Sequence, residues 1–177
     1  MVHAAMAERR SPLADRADDL AALEAVEMPF LAQVDVRCAP ADATSLGFPT
    51  TPNTVTGDMT RGVLWLGPDE WLVVGLPGTA IETIAELESA LAGTNHSLID
   101  VSENRAVIEL GGIDRHTLLA SGCPLDLDPR GGWAPGVCAQ TVFARAQVVL
   151  QELEGSTRLF ARPSFAGYVV DRLLAAL

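Results

Sequence analysis

The chain has 177 residues, a hydrophobic fraction of 49% and a mean hydropathy of +0.24, enough apolar material for one domain or two small interlocked subdomains. Its 12 cationic and 23 acidic side chains give a formal charge of −11, which repels phosphate backbones and anionic bilayers and sets aside nucleic acid and membrane as partners. No run of about 18 apolar residues occurs and the first ten residues lack the basic-then-apolar order of a secretory signal, so a cytoplasmic protein is expected.

Residues 1–22 read as an N-terminal arm. Asp15, Asp18 and Asp19 stand near Arg9, Arg10 and Arg16 with little apolar periodicity, which suits either disorder or an arm that orders on a partner. Residues 23–177 form the domain. Phe30 to Arg37 alternates over its second half, as a strand does. Residues 39–61, rich in Pro, Thr, Gly and Asp, read as a long loop of the functional or partner-held kind. Val63–Leu66 and Trp71–Val74, joined by Gly67-Pro68-Asp69-Glu70, predict a hairpin.

Thr79 with Glu82 has capping-box spacing, and Ile81, Ile84, Ala85, Leu87, Glu88 and Leu91 predict the stripe of a helix ended by Gly93. Short strands are predicted at 98–101 and 106–110. A short helix follows over 113–121, with Ile113, Leu118 and Leu119 inward and Gly122 as its stop. Residues 123–136 are irregular, Val137 to Leu153 is strand-like and Thr157–Ala161 pairs with it. An amphipathic helix with Phe165, Tyr168, Val169, Leu173 and Leu174 inward closes the chain. Hairpins alternating with helices predict an α+β fold of mainly antiparallel sheets with helices packed on one face.

All 12 cationic side chains are arginine, so no lysine offers a Schiff base or a Walker loop. Cys38, Cys123 and Cys138 are odd in number and form no C-x-x-C pair, which points to reduced, packed thiols. Cys123 and Cys138 flank the Pro-Gly loop and could approach in space, with Arg130 as a cation able to activate a thiol. The three histidines, His3, His96 and His116, are scattered and propose neither a metal site nor a triad.

In Asp100-Val101-Ser102-Glu103-Asn104-Arg105, Arg105 could fork onto either Asp or Glu, as a strand connection, or could face an anionic ligand or partner. Trp65, Trp71 and Trp133 are core or interface anchors. Trp133, in an exposed-looking Gly-Gly-Trp-Ala-Pro-Gly loop, suits burial against another subunit. The residues assigned to a partner interface are Trp133, Arg130, Arg105, Asp69, Glu70 and Arg162, and none is assigned to catalysis, cofactor or metal.

Five stretches, in order along the chain, resemble one family. They are Pro52-Asn53-Thr54, Leu66-Gly67-Pro68-Asp69-Glu70-Trp71-Leu72, Asp100-Val101-Ser102 with Arg105, the block from Gly122-Cys123-Pro124 to Thr141, and Arg162-Pro163-Ser164-Phe165-Ala166-Gly167-Tyr168. The chain is identified by them as resembling the gamma subunit of heterotetrameric sarcosine oxidase. It departs from the family at Asp128, where histidine is usual, and in lacking an aromatic near Asp171-Arg172-Leu173.

The resemblance implies a fold like the folate-binding domain of aminomethyltransferases and a non-catalytic structural role. The implied partners are alpha, beta and delta subunits, chiefly the large alpha. The complex is implied to turn sarcosine, oxygen and tetrahydrofolate into glycine, hydrogen peroxide and methylene-tetrahydrofolate. Its FAD, FMN, NAD, zinc and tetrahydrofolate are implied to lie on the other subunits. Two alternatives stand beside this: a stand-alone folate-binding or aminomethyltransferase-like protein with Arg105 and Asp100 as ligands, and a thiol enzyme using Cys123.

Overall fold

A computed structural model describes residues 9–58 and 60–177. His3 and the first part of the expected arm lie outside the described residues. In chain order the elements are α1 (Ala17–Ala22), β1 (Ala25–Glu27), β2 (Ala32–Arg37), α2 (Pro40–Ser45), β3 (Val55–Gly57), β4 (Arg61–Gly67), β5 (Glu70–Gly75) and α3 (Ala80–Ala90). There follow β6 (Ser97–Asp100), β7 (Ala106–Leu110), α4 (Arg115–Ala120), β8 (Cys138–Phe143), β9 (Ala146–Glu152), β10 (Thr157–Ala161) and α5 (Pro163–Leu174), with a single 3-10 turn at Pro129–Gly131.

The strands form two antiparallel sheets, ordered β1-β7-β10-β9-β8 and β3-β4-β5-β2-β6. Period-two alternation sorts each strand into two faces. Val107, Cys138, Val149 and Phe160 of the first sheet face Leu64, Leu66, Leu72 and Val74 of the second, with Leu31 between them. The opposite face of the first sheet, with Ile108, Leu110, Leu150 and Leu159, packs under Leu20 of α1, Leu118 and Leu119 of α4, and Val169, Val170 and Leu173 of α5. The outer face of the second sheet, with Val34, Val36, Trp71 and Val73, packs under Ala43 of α2 and Leu87 of α3. The result is helix, sheet, sheet, helix: an α+β sandwich in which each sheet carries helices on one face, as the alternation of hairpins and helices predicts.

The two sheets touch most closely where β8 lies beside β3 and β4. Thr54 bridges Val137, the Cys138 N–H donates to the Asn53 carbonyl at 2.9 Å, and Gln140 Nε2 donates to the Leu66 carbonyl at 2.8 Å. The loop before β3 is held by Trp71, whose Nε1 donates to the Pro49 carbonyl at 2.7 Å. Residues 9–22 are folded against the domain, with Leu13 and Leu20 buried and Arg16 Nη2 donating to Asp171 at the far end of α5.

Several local expectations change. The loop at 39–61 contains α2, with Pro40 at its first turn, and β3. The strand-like run from Val137 divides into β8 and β9 at a turn where Ala144 adopts φ 52°. Thr79 sits at the N-cap of α3, but its hydroxyl donates back to the Leu76 carbonyl at 2.8 Å and no capping box forms. The buried stripe of α3 is Ala80, Thr83 and Leu87, continued by Leu91, which leaves Ile81 79% exposed; Ile113 is likewise 92% exposed. On α5 the inward positions are Ala166, Val169, Val170 and Leu173, and Phe165 stands edge-on to Tyr168 near the surface. Gly122 ends α4 for a spatial reason: a Cβ there would lie 2.8 Å from Phe143 Cε2. No helix among the described residues is long and apolar enough to cross a membrane.

Candidate functional site

Four of the six residues assigned to a partner interface converge on one rim of the sandwich. In the β7–β10 ladder Ala106 stands opposite Ala161, both on the helix side. Alternation therefore turns the residues just past that pair, Arg105 and Arg162, to the sandwich side in line with Val107 and Phe160. On the second sheet, Val34 and Val36 point to the helices, so Asp35 and Arg37 point the other way. Arg37 faces Glu70 across the β2–β5 ladder. Its guanidinium lies 2.8 Å from Glu70 Oε2, 3.4 Å from Asp69 Oδ1 and 3.9 Å from Asp35 Oδ1.

Arg105 is half-buried and Arg162 exposed. Burial pushes the Arg105 pKa down; the Asp35 and Glu70 charges oppose that shift, and neighbouring Arg162 adds to it. Its backbone carbonyl accepts from Gln33 Nε2 at 3.1 Å, which pins the segment. Among the described residues neither Arg105 nor Arg162 has a carboxylate within ion-pair distance or a side-chain hydrogen bond. The expected fork of Arg105 onto Asp100 or Glu103 does not form. Asp100 Oδ1 instead accepts from Ser102 N at 3.0 Å and from the Ser102 hydroxyl, whose oxygen accepts from Gln33 N at 3.0 Å. Glu103 pairs with Arg9. The rim thus presents two guanidinium forks, while its own carboxylates are held by Arg37.

Trp133 and Arg130 lie elsewhere. Trp133 is 5% exposed within its own chain, so its assignment as an interface anchor is corrected: its indole Nε1 donates to Glu152 Oε2 at 2.8 Å, and the ring packs in the core beneath the first sheet's helices. Glu152 is 2% exposed at the end of β9. Its Oε1 lies 2.9 Å from both Arg115 Nη2 and His116 Nε2, and its Oε2 also accepts from the Thr157 hydroxyl. This carboxylate fastens α4, the 123–136 loop and the β9–β10 hairpin to one point. Sequence reasoning missed it. The available signal was a carboxylate at the end of a strand-like run, Val148-Val149-Leu150-Gln151-Glu152.

Arg130, fully on the surface, pairs with Asp128 at 2.7 Å, and the Asp128 carboxylate also accepts from Arg130 N at 2.9 Å. These bonds hold the Asp128 carboxyl down to about 2. Asp128, the position at which the chain departs from the sequence pattern, is thereby the cap of the 3-10 turn.

The three thiols are free and buried. Cys123 and Cys138 do not approach each other: Cys123 lies on the helix side of the first sheet, near Thr141 Oγ1 at 3.8 Å, and Cys138 on the sandwich side, donating to the Trp65 and Thr54 carbonyls. Burial pushes the Cys138 thiol up to about 11 and raises that of Cys38. Among the described residues no group of three or more His, Cys, Asp or Glu side chains could hold a metal ion.

Comparison with known proteins places this geometry in a family. The profile of the sarcosine oxidase, gamma subunit family matches residues 32–176. The sarcosine oxidase subunit gamma of Corynebacterium sp. (strain P-1) is 34% identical over 185 residues, covering 96% of this chain and 90% of the relative. A chain of the heterotetrameric sarcosine oxidase from Corynebacterium sp. U-96, solved with pyrrole 2-carboxylate, superposes with a TM-score of 0.85 at 32% identity, covering 95% of this chain and 94% of that one. The glycine cleavage system aminomethyltransferase T of Bartonella henselae shares the fold alone, with a TM-score of 0.66 at 12% identity over 89% of this chain and 48% of that one. The match over nearly the whole chain, in sequence and in fold, makes this protein a member of the sarcosine oxidase gamma subunit family.

Proposed function

We propose that the chain is a non-catalytic structural subunit of a heterotetrameric sarcosine oxidase, docked chiefly on the large alpha subunit beside beta and delta subunits in the cytoplasm. In this reading the other subunits carry FAD, FMN, NAD, zinc and the tetrahydrofolate site. They perform the conversion of sarcosine, oxygen and tetrahydrofolate to glycine, hydrogen peroxide and methylene-tetrahydrofolate. The observation that carries the reading is the superposition of the chain, over 95% of its length, on one chain of a heterotetrameric sarcosine oxidase.

The chain's own polar chemistry supports the structural role. Among the described residues, several groups with catalytic potential are engaged within the chain. His116 is bonded to buried Glu152, His96 Nε2 lies 3.0 Å from Glu88 on the surface, and the Cys138 thiol donates to two backbone carbonyls.

The test is co-purification. A tagged chain expressed with its neighbouring genes should bring down three further polypeptides as a yellow complex that forms peroxide from sarcosine. A colourless lone chain that binds tetrahydrofolate by calorimetry would sink the reading and favour a free folate-binding protein.

A further inference from the structure

We propose that Arg105 and Arg162 together form the receptor for a carboxylate supplied by a partner subunit, an Asp or Glu side chain or a chain terminus, and that this rim is the face by which the chain docks. The inference rests on the docking reading above and adds the contact and its chemistry.

Three observations converge. First, the β7–β10 ladder closes on Ala106 opposite Ala161, and continuing it by one residue brings Arg105 and Arg162 to the same face of neighbouring strands, where opposing Cβ atoms lie about 5 Å apart. Two like charges so placed repel each other, and the Arg162 charge helps to push the Arg105 pKa down. Second, in a chain with 23 acidic and 12 cationic side chains eight arginines hold a carboxylate, whereas Arg105, Arg145, Arg162 and Arg172 hold none among the described residues, and of these four Arg105 alone is half-buried.

The nearby carboxylates are already engaged. Glu70, Asp69 and Asp35 surround Arg37, and Glu27 accepts from the Ser11 hydroxyl at 2.6 Å and from Leu13 N at 3.3 Å. Third, Arg105 borders a cleft of about 150 Å³ whose lining includes Phe30, Pro163, Arg10 and the carboxylates Glu27 and Glu103, which are engaged by Ser11 and Arg9, while Arg162 stands outside that lining. A half-buried guanidinium without a counter-ion is costly, and a forked carboxylate is the group that matches its planar donors.

The assignment is tested in the co-expressed complex by measuring the affinity of this chain for the remaining subunits in sedimentation velocity. Arg105→Gln and Arg162→Gln should each weaken association by at least tenfold, and the double variant further, because truncating one side of a desolvated charge pair strands the partner's carboxylate. Arg105→Lys should recover part of the loss, since it keeps the charge without the fork. Arg145→Gln, at an exposed position on the β8–β9 turn, should leave affinity unchanged.

A double variant that melts like the wild type and assembles with wild-type affinity would overturn the assignment. Should substitution at Arg105 prevent folding, exposed Arg162→Gln decides alone: tenfold loss supports the carboxylate receptor, and unchanged affinity overturns it. A wild-type chain that binds no other subunit would instead overturn the docking reading itself, so the two failures are distinct.

Discussion

Glu152 and Arg105 are both charges withdrawn from water at the margins of the same sheet, and they have opposite surroundings. Glu152 is 2% exposed, and both its oxygens are taken by Arg115, His116, Trp133 and Thr157. Arg105 is half-buried, and its guanidinium has no bonded partner among the described residues. A buried charge with every bond filled from its own chain belongs to the fold. In the proposed docking reading, the open forks of a partly buried charge are completed by another chain, so that one polar cluster holds the chain together and the other meets a partner.

The comparison is broken most directly at the closed cluster. Glu152→Ala strands a guanidinium, an indole N–H and a hydroxyl in the interior, and should cost on the order of 3–5 kcal/mol, a fall in Tm of roughly 10 °C in a domain of this size. A calorimetric loss below 1 kcal/mol would mean that the network is not formed in solution. Trp133→Phe keeps an aromatic ring in the core but removes one charge-assisted bond, worth about 1.5–3 kcal/mol by chemical denaturation, and leaves a void where the rest of the indole lay. A neutral result would show that the indole–carboxylate bond contributes nothing to stability.

The Asp128–Arg130 pair sharpens the contrast on the exposed loop. Because the Arg130 side-chain and backbone donors hold the folded Asp128 carboxyl at about 2, below its ordinary 3.8, the stabilisation it gives is present above about pH 4 and is lost as pH falls toward 2. Arg130→Ala should move the Asp128 midpoint in an NMR titration back upward. An unmoved midpoint would refute the pair.

The smallest expected effect is the most telling. Arg105→Met in the isolated chain should leave stability unchanged or slightly raised, since burial disfavours the charged guanidinium and no bond is lost. A clear drop in Tm would show Arg105 to be a structural residue.

The sheets were legible in the sequence because their strands, buried on both faces, read as short continuous apolar runs bounded by turn residues. Val63 to Leu66, Trp71 to Val74 and Ala106 to Leu110 each divide cleanly between the two faces. The β8–β9 turn was not, because Ala144-Arg145 carries none of the usual turn residues and Ala144 is held at φ 52° by context, with its N–H donating to the Gly122 carbonyl at 2.7 Å. The helix expectations failed at Ile81, because the buried face of α3 runs through Ala80, Thr83 and Leu87 instead, and at Ile113, because α4 begins only at Arg115 and leaves Ile113 in the preceding exposed turn.

At the site, Arg105 stood out in the sequence while its surroundings did not. Its sequence neighbours Asp100 and Glu103 suggested a local fork, whereas strand order brings Asp35 and Glu70, some seventy and thirty-five positions earlier, into its field. Trp133 misled because a Gly- and Pro-rich loop reads as exposed, and the buried carboxylate that draws the indole inward sits in a strand nineteen residues away.

Hydrogen exchange of the chain alone and in the assembled complex tests the central claim most directly. The account predicts that assembly protects the amides around Glu70, Ser102–Val107 and Phe160–Arg162, while the segment clamped by Glu152, from Arg115 to Val137, is protected equally in both states. Protection gained over Arg115–Val137 with none at Arg105 and Arg162 would contradict it, and would place the docking face on the opposite side of the molecule.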